Sequence, residues 1–328
     1  MQKWPRLMKI AAGWLLGLAL AVAAAIVTIS LVNANYFGPQ QSVRNYVQAL
    51  RDGDGAKALG LLEATVPSSN AAMLDGDGLK AAAAKISDIH VGNPETEDGG
   101  RAKVTLGYTI DGKAQNTDFI LEPAGKTWLF FNTWNFVPST LPTIDVSVVN
   151  ESQASVNGVE VNMPSGRNSF AVLYPGQYTA DYQSKYFQAP AVTTTVTGPG
   201  AKPAAVALAT APSPALVSQV DNRIHQYLDG CAKQQVLLPA GCPFSNRTDN
   251  RVVGAINWSI VDYPKIGISA YGGQWVMAPL TVKAQVEYQE QQLFSGTVSD
   301  VKEAQDFGFT AKLDVTDSSI TVTPVVDY

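Results

Sequence analysis

From Ile10 to Val32 the chain carries no charged residue over 23 consecutive positions, reading IAAGWLLGLALAVAAAIVTISLV. As a helix rising about 1.5 Å per residue this run reaches ~34 Å, enough to cross a hydrocarbon core of about 30 Å. A helix satisfies its own backbone hydrogen bonds, which lipid cannot do. Lys3, Arg6 and Lys9 precede the run, and the next basic residue is Arg44. The positive-inside bias therefore makes residues 1–9 a cytoplasmic tail, 10–32 a transmembrane helix, and the rest of the chain extracellular. Trp4 and Trp14 on one side, and Tyr36 and Phe37 on the other, suit the two membrane interfaces. The alternative is a leader peptide cut near Val32-Asn33-Ala34. Leader cores ordinarily run about 7–15 residues, and this one is longer, so a single-pass signal anchor in the cell membrane is the expectation. No Cys lies near the segment to direct lipoprotein processing. Both readings export residues 35–328.

Without the tail, 20 Lys and Arg face 28 Asp and Glu, a net charge near −8 for the exported part. That balance argues against a nucleic-acid partner and against tight electrostatic adhesion to anionic lipid. The two cysteines, Cys231 and Cys242, have ten residues between them. In an exported chain such a near pair most simply forms a disulfide bond. Zinc would need further ligands close by; His225 is near, but no second His is. Neither a metal nor a cofactor is expected.

The length of 328 residues points to two or three domains. Val43, Tyr46, Val47 and Leu50 fall at helical spacing, with Ser42 placed to cap the helix. Asp52-Gly53-Asp54-Gly55 breaks it, Ala58, Leu59 and Leu62 begin a second helical face, and Leu79–Ile86 a third. Strands follow: Val104, Leu106, Tyr108 and Ile110 alternate with polar or small residues, and Asp111-Gly112 signals a hairpin turn. Phe119–Leu121 continues, and Ala124-Gly125 turns the chain into a strand over Trp128–Trp134. Helices followed by an antiparallel meander define an α+β domain over 38–138. Residues 143–210 contain alternating short strands with no helical pattern, which predicts a small all-β sandwich ending in a Pro/Ala/Gly-rich stretch. Residues 212–328 repeat the first layout. A helix face of Val217, Val220, Ile224, Tyr227 and Leu228 precedes the cysteine loop. Strands are then predicted over Val252–Val261, Leu280–Tyr288, Leu293–Val298, Phe307–Val315 and Ile320–Val325.

The pattern Val43-x-x-Tyr46-Val47-x-x-Leu50-x-x-Gly53-Asp54-x-x-Lys57-Ala58-Leu59, with the late strand Lys126-Thr127-Trp128-Leu129-Phe130, resembles NTF2-like domains, which join helices to a curved antiparallel sheet. Residues 212–328 resemble a divergent second copy. The segments Val156-Asn157-Gly158-Val159 and Leu173-Tyr174-Pro175-Gly176-Gln177-Tyr178 resemble small β-domains that place a G-x-Y turn after an N-G hairpin. A membrane anchor, then two NTF2-like domains flanking a small β-domain, is similar to the layout of Gram-positive envelope proteins of the teicoplanin-resistance-associated family. The Cys231-Ala232 … Gly241-Cys242-Pro243-Phe244 signature also resembles that of actinobacterial membrane proteins. The nine residues before the apolar run are too few for the cytoplasmic zinc ribbon common in that family, so none is expected in them. The resemblance implies a cell-envelope context and not a reaction. It also implies a cone, for which Tyr108, Phe119, Trp128, Phe130 and Trp134 are the candidate lining residues, although five aromatics at strand spacing more often form a packed core than a pocket.

A catalytic centre has little to draw on. His90 and His225 are the only histidines, both at positions that read as structural or surface, and no G-x-S-x-G elbow occurs. Asp52-Gly-Asp54-Gly and Asp75-Gly-Asp77-Gly open like calcium loops. However, Lys57 and Lys80 stand where the obligatory Gly belongs, so both read as helix breaks with Asp near a helix N-terminus. Three glycosylation sequons, at Asn150, Asn246 and Asn257, are idle in a bacterial-type chain. The expected function is a non-enzymatic, membrane-anchored module that binds an envelope protein or a cell-wall or lipid-linked component. The alternative is a receptor for a small apolar ligand, using an NTF2-like cone.

Overall fold

The computed structural model describes residues 6–128, 130–316 and 318–326. It is a mixed α+β chain that divides into two compact units. The first holds Met1–Ser147, Ser155–Ala180 and Val192–Ala207; the second holds Val148–Ala154, Asp181–Ala191 and Leu208–Tyr328. Several strands of the middle β-region therefore contribute residues to both.

In the first unit, α1 (Arg6–Tyr36) carries the apolar run. Its stretch Met8–Asn33 has a mean hydropathy of 2.7, with none of the most apolar window buried, and is long and apolar enough to cross a membrane. Helix α2 (Pro39–Asp52) buries Val43, Tyr46, Val47 and Leu50, the apolar stripe its spacing predicts. Pro39 sits in its first turn, where a missing N–H costs nothing. Gly53, at φ 74°, ends it in the left-handed conformation. Ser42 does not cap the helix, because the chain turns helical three residues earlier; its hydroxyl donates to the Trp134 carbonyl at 3.1 Å.

Helices α3 (Gly55–Leu62) and α4 (Gly76–Ala84) begin in the two Asp-Gly-Asp-Gly runs. Asp54 caps α3 by accepting from the Lys57 N–H at 2.9 Å. The Asp75 carboxylate accepts from the Gly55 N–H at 2.7 Å, and the Gly76 N–H donates to the Gly53 carbonyl at 2.9 Å. A Cβ on Gly55 would lie 2.0 Å from the Leu74 carbonyl oxygen. The two acidic runs thus interlock as packed turns.

The sheet of the first unit contains β1 (Ser87–Val91), β2 (Glu95–Thr96), β3 (Ala102–Ile110), β4 (Lys113–Thr127) and β5 (Phe131–Phe136). Its order is β1-β3-β4-β5, with β2 also pairing with β3. Asp111 and Gly112 both have positive φ, the geometry of the tight hairpin turn that their sequence predicts. Strand β4 runs further than its alternation suggests: a bulge between Pro123 and Gly125 absorbs the expected turn, and the strand continues to Thr127. The real turn falls between Thr127 and Phe131.

The middle region supplies β6 (Thr143–Val148), β7 (Gln153–Val156), β8 (Val159–Asn162), β9 (Arg167–Ala171), β10 (Gly176–Gln183), β11 (Phe187–Val196), β12 (Val206–Leu208) and β13 (Ala211–Pro212). They form two sheets, ordered β13-β11-β10-β7-β8 and β12-β6-β9.

In the second unit, Ser213 caps α5 (Pro214–Ala232) by accepting from the Leu216 N–H at 3.2 Å. The helix buries Leu216, Val220, Ile224, Leu228 and Cys231, so Leu216 rather than Val217 opens its apolar face. The strands are β14 (Arg251–Asp262), β15 (Ile268–Tyr271), β16 (Gln274–Met277), β17 (Leu280–Gln291), β18 (Val298–Val315) and β19 (Ile320–Val325). The main sheet runs β14-β17-β18-β19, and β15 pairs with β16. Leu280, Val282, Ala284, Val286 and Tyr288 alternate into the core. Leu293–Val298 is not a separate strand: Leu293, Phe294 and Ser295 form the turn from β17 to β18, and both apolar side chains are exposed.

Candidate binding surfaces

Cys231 and Cys242 are joined by a disulfide bond. Both are buried in a cluster with Phe244 and Trp258, and the Trp258 indole donates to the Val236 carbonyl at 2.9 Å. The bond ties the end of α5 to the segment that inserts Phe244 into the core.

The five candidate cone residues separate. Tyr108 and Phe119 are buried, Trp134 is half-buried, and Trp128 and Phe130 are 81% and 55% exposed. Trp128 and Phe130 do not line an interior. They lie in the turn after β4, where Trp128 has φ 52° and the strand alternation has ended. The buried members belong to a packed aromatic cluster. The Phe119 ring lies 5.6 Å from Tyr46, 5.4 Å from Phe136 and 6.0 Å from Tyr174, centroid to centroid. The first two contacts are edge-to-face, an arrangement that aromatic quadrupoles favour.

Two tyrosines anchor this cluster by polar tips. The Tyr46 hydroxyl donates to the Tyr174 carbonyl at 2.5 Å, and the Tyr178 hydroxyl donates to the Leu173 carbonyl at 2.7 Å. Burial pushes both phenols well above their ordinary value of 10.0. As pH rises through 10, the unfolded chain releases phenolic protons that the folded unit retains. The folded state then binds more protons, so stability is full below pH 10 and falls above it. Denaturant titrations of the full chain in detergent, at rising alkaline pH, are expected to show this loss. Tyr46→Phe should cost about 1–3 kcal/mol at neutral pH, by stranding the Tyr174 carbonyl, and should flatten the alkaline decline.

Each histidine lies against a neighbour within its own unit. His90 lies over Gly107, where a Cβ would come within 2.0 Å of its ring. His225 packs on Tyr263, with ring centroids 3.9 Å apart, and faces Asp221 at 3.8 Å. Among the described residues, no three His, Cys, Asp or Glu side chains gather closely enough to hold a metal ion.

Two concave surfaces lie within the second unit. One, of about 370 Å³, opens beside the register slip between Val253 and Asn257 of β14. Two pairs cross the sheet in its wall: Lys302 with Glu287 at 2.7 Å, and Gln289 with Asp300 at 2.9 Å. The other, of about 270 Å³, is lined by Asn150, Tyr182, Lys185, Phe187, Trp275 and Thr316, with Glu151 beside them. Trp275 stacks on Phe187 at 4.4 Å and 14°, and the Tyr182 hydroxyl donates to Glu151 at 2.7 Å. Phe187 is itself buried and the Trp275 ring stacks on it, so the cleft presents the remaining part of a half-buried indole beside a carboxylate, an ammonium and hydroxyls, a mix that suits a polar ligand with an apolar face, such as a sugar ring or a peptide side chain. Sequence reasoning missed this cleft, because its residues come from segments far apart in the chain and share no motif.

No known protein family, curated protein or solved structure matches the chain.

Proposed function

We propose that the chain is a non-enzymatic, membrane-anchored module of a Gram-positive-type cell envelope, with its domains on the outer side of the membrane. The reading is carried by the apolar stretch Met8–Asn33, which the rest of the chain does not bury. Lys3, Arg6 and Lys9 cluster at its N-terminal end and the next basic residue is Arg44, a bias that favours residues 1–9 in the cytoplasm. A disulfide bond suits the oxidising space this orientation gives the second unit. Helices α2–α4 before the sheet β1-β3-β4-β5, and α5 before β14-β17-β18-β19, are the features that favour the NTF2-like reading and the teicoplanin-resistance-associated layout.

The module binds an envelope protein or a wall or lipid-linked component, and the cleft around Trp275 is where a wall glycan or stem peptide would dock. A receptor for a small apolar ligand ranks second, because Tyr46, Phe119 and Phe136 pack against one another where such a ligand would sit. The test is co-sedimentation of the full chain in detergent with purified peptidoglycan, alongside capture on vesicles carrying the lipid-linked wall precursor. Binding to either is expected, and Trp275→Ala should weaken it roughly threefold to tenfold, the worth of one aromatic stacking contact. Full-strength binding by that variant moves the site elsewhere. A reporter fused after Tyr328 that proves cytoplasmic removes the envelope role.

A further inference from the structure

The turn between β4 and β5 exposes two large aromatic side chains beside the end of the apolar helix. Asn33 closes the apolar stretch Met8–Asn33. Its side-chain amide donates to the Phe130 carbonyl at 2.8 Å, and its side-chain oxygen accepts from the Asn132 N–H at 3.0 Å. Four residues on, Phe37 stacks on Phe131 at 4.4 Å and 17°. The hairpin is therefore held at the level of the helix terminus. Twenty-six residues of helix reach ~39 Å, longer than a hydrocarbon core of about 30 Å, so a membrane-spanning α1 would carry the last turns of the stretch into the headgroup region. Trp128 and Phe130 are exposed on this hairpin, and Lys126 on the same hairpin is exposed too. Tryptophan concentrates at membrane interfaces, where its ring is buried among headgroups and its N–H stays wet. The backbone adds a second observation. Trp128 holds φ 52°, a conformation costly for a bulky residue, where Gly or Asn would turn the chain more easily.

We propose that Trp128 and Phe130 form a second membrane contact, inserting into the interfacial region of the leaflet at the C-terminal end of α1. The occupant of this apolar tip is the lipid surface itself. With the helix as one attachment and the hairpin as another, the first unit is fixed in orientation on the membrane rather than swinging from a single tether. This rests on α1 being retained as a membrane span.

The test uses the full chain in vesicles, in a Trp4→Phe/Trp14→Phe background that silences the two tryptophans nearest the N-terminus. Lipids brominated near the headgroup are expected to quench the remaining emission, and lipids brominated near the chain end to quench it less. Trp128→Phe should abolish most of that quenching, whereas Trp134→Phe, in the same hairpin, should leave it in place. If the chain stays in the vesicles but Trp128→Phe leaves quenching unchanged, or the background protein shows none, the hairpin contact is overturned and the anchor stands. If the chain leaves the vesicle fraction, with a mass showing cleavage near Ala34, the anchor reading fails and the hairpin contact with it.

Discussion

Replacing Cys231 and Cys242 together by alanine is expected to lower the stability of the second unit by roughly 3 kcal/mol. The bond closes a loop with a sequence separation of 11, and the chain-entropy account assigns a loop of that size a cost of this order in the unfolded state. Both half-cystines also lie in the core next to Phe244 and Trp258. Freeing the 231–242 segment loosens the attachment that holds Phe244 inside. Alanine is the substitution of choice, since serine would add two buried hydroxyls to the loss. The readout is denaturant unfolding of the full chain in detergent, with hydrogen exchange of the β17 amides localising the change. Reductant should weaken the parent chain to about the level of the variant and leave the variant unmoved. A parent chain indifferent to reductant would mean that the bond does not form in the native protein. The chemical support for an oxidising location would go with it.

The sequence revealed elements whose determinants are local. The spacing of Val43, Tyr46, Val47 and Leu50 decides the buried face of α2 within four turns, and Asp111-Gly112 decides its own turn because few other residue pairs tolerate that geometry. The cysteine pair was legible for the same reason: little chain lies between its members. Elements set by distant partners were misread. Alternation predicts the strand only from Phe307, whereas β18 begins at Val298 and takes in a stretch that carries Asp300, Lys302, Glu303 and Asp306. In the fold those residues pair with β17 along their whole length, and the ladder outweighs their composition. Leu293 and Phe294 looked like the start of a strand, yet Gly296 at φ 70° and the need to reverse the chain make them a turn.

Trp128 and Phe130 failed for a related reason. Alternation predicts which face a residue occupies only while the strand lasts, and the bulge after Pro123 moved the end of β4 to Thr127. The cleft around Trp275 lay beyond any local signal, since it brings Asn150, Lys185 and Thr316 onto one surface. Periodicity could mark Trp275 neither as core nor as site, because β16 is only four residues long.

Phe119→Ala is expected to destabilise the first unit by about 3–5 kcal/mol, the usual cost of truncating a buried aromatic residue. The reason is its position at the centre of the cluster. Tyr46 and Phe136 meet its edges, Tyr174 stacks on it, and 3% of its surface reaches solvent. Removing the ring takes away both its transfer from water and three aromatic contacts, and the rigid sheet β1-β3-β4-β5 limits how far the gap can close. The measurement is denaturant unfolding of the full chain, with hydrogen exchange of β3 and β4 assigning the loss to this unit. The result separates packing from binding at a residue where the sequence allowed either. A ring lining an open cone has solvent on one side, so its truncation would cost well under the packed value, about 1 kcal/mol or less, and would enlarge the space for a ligand. A large loss means that the aromatics of the first unit hold the fold together.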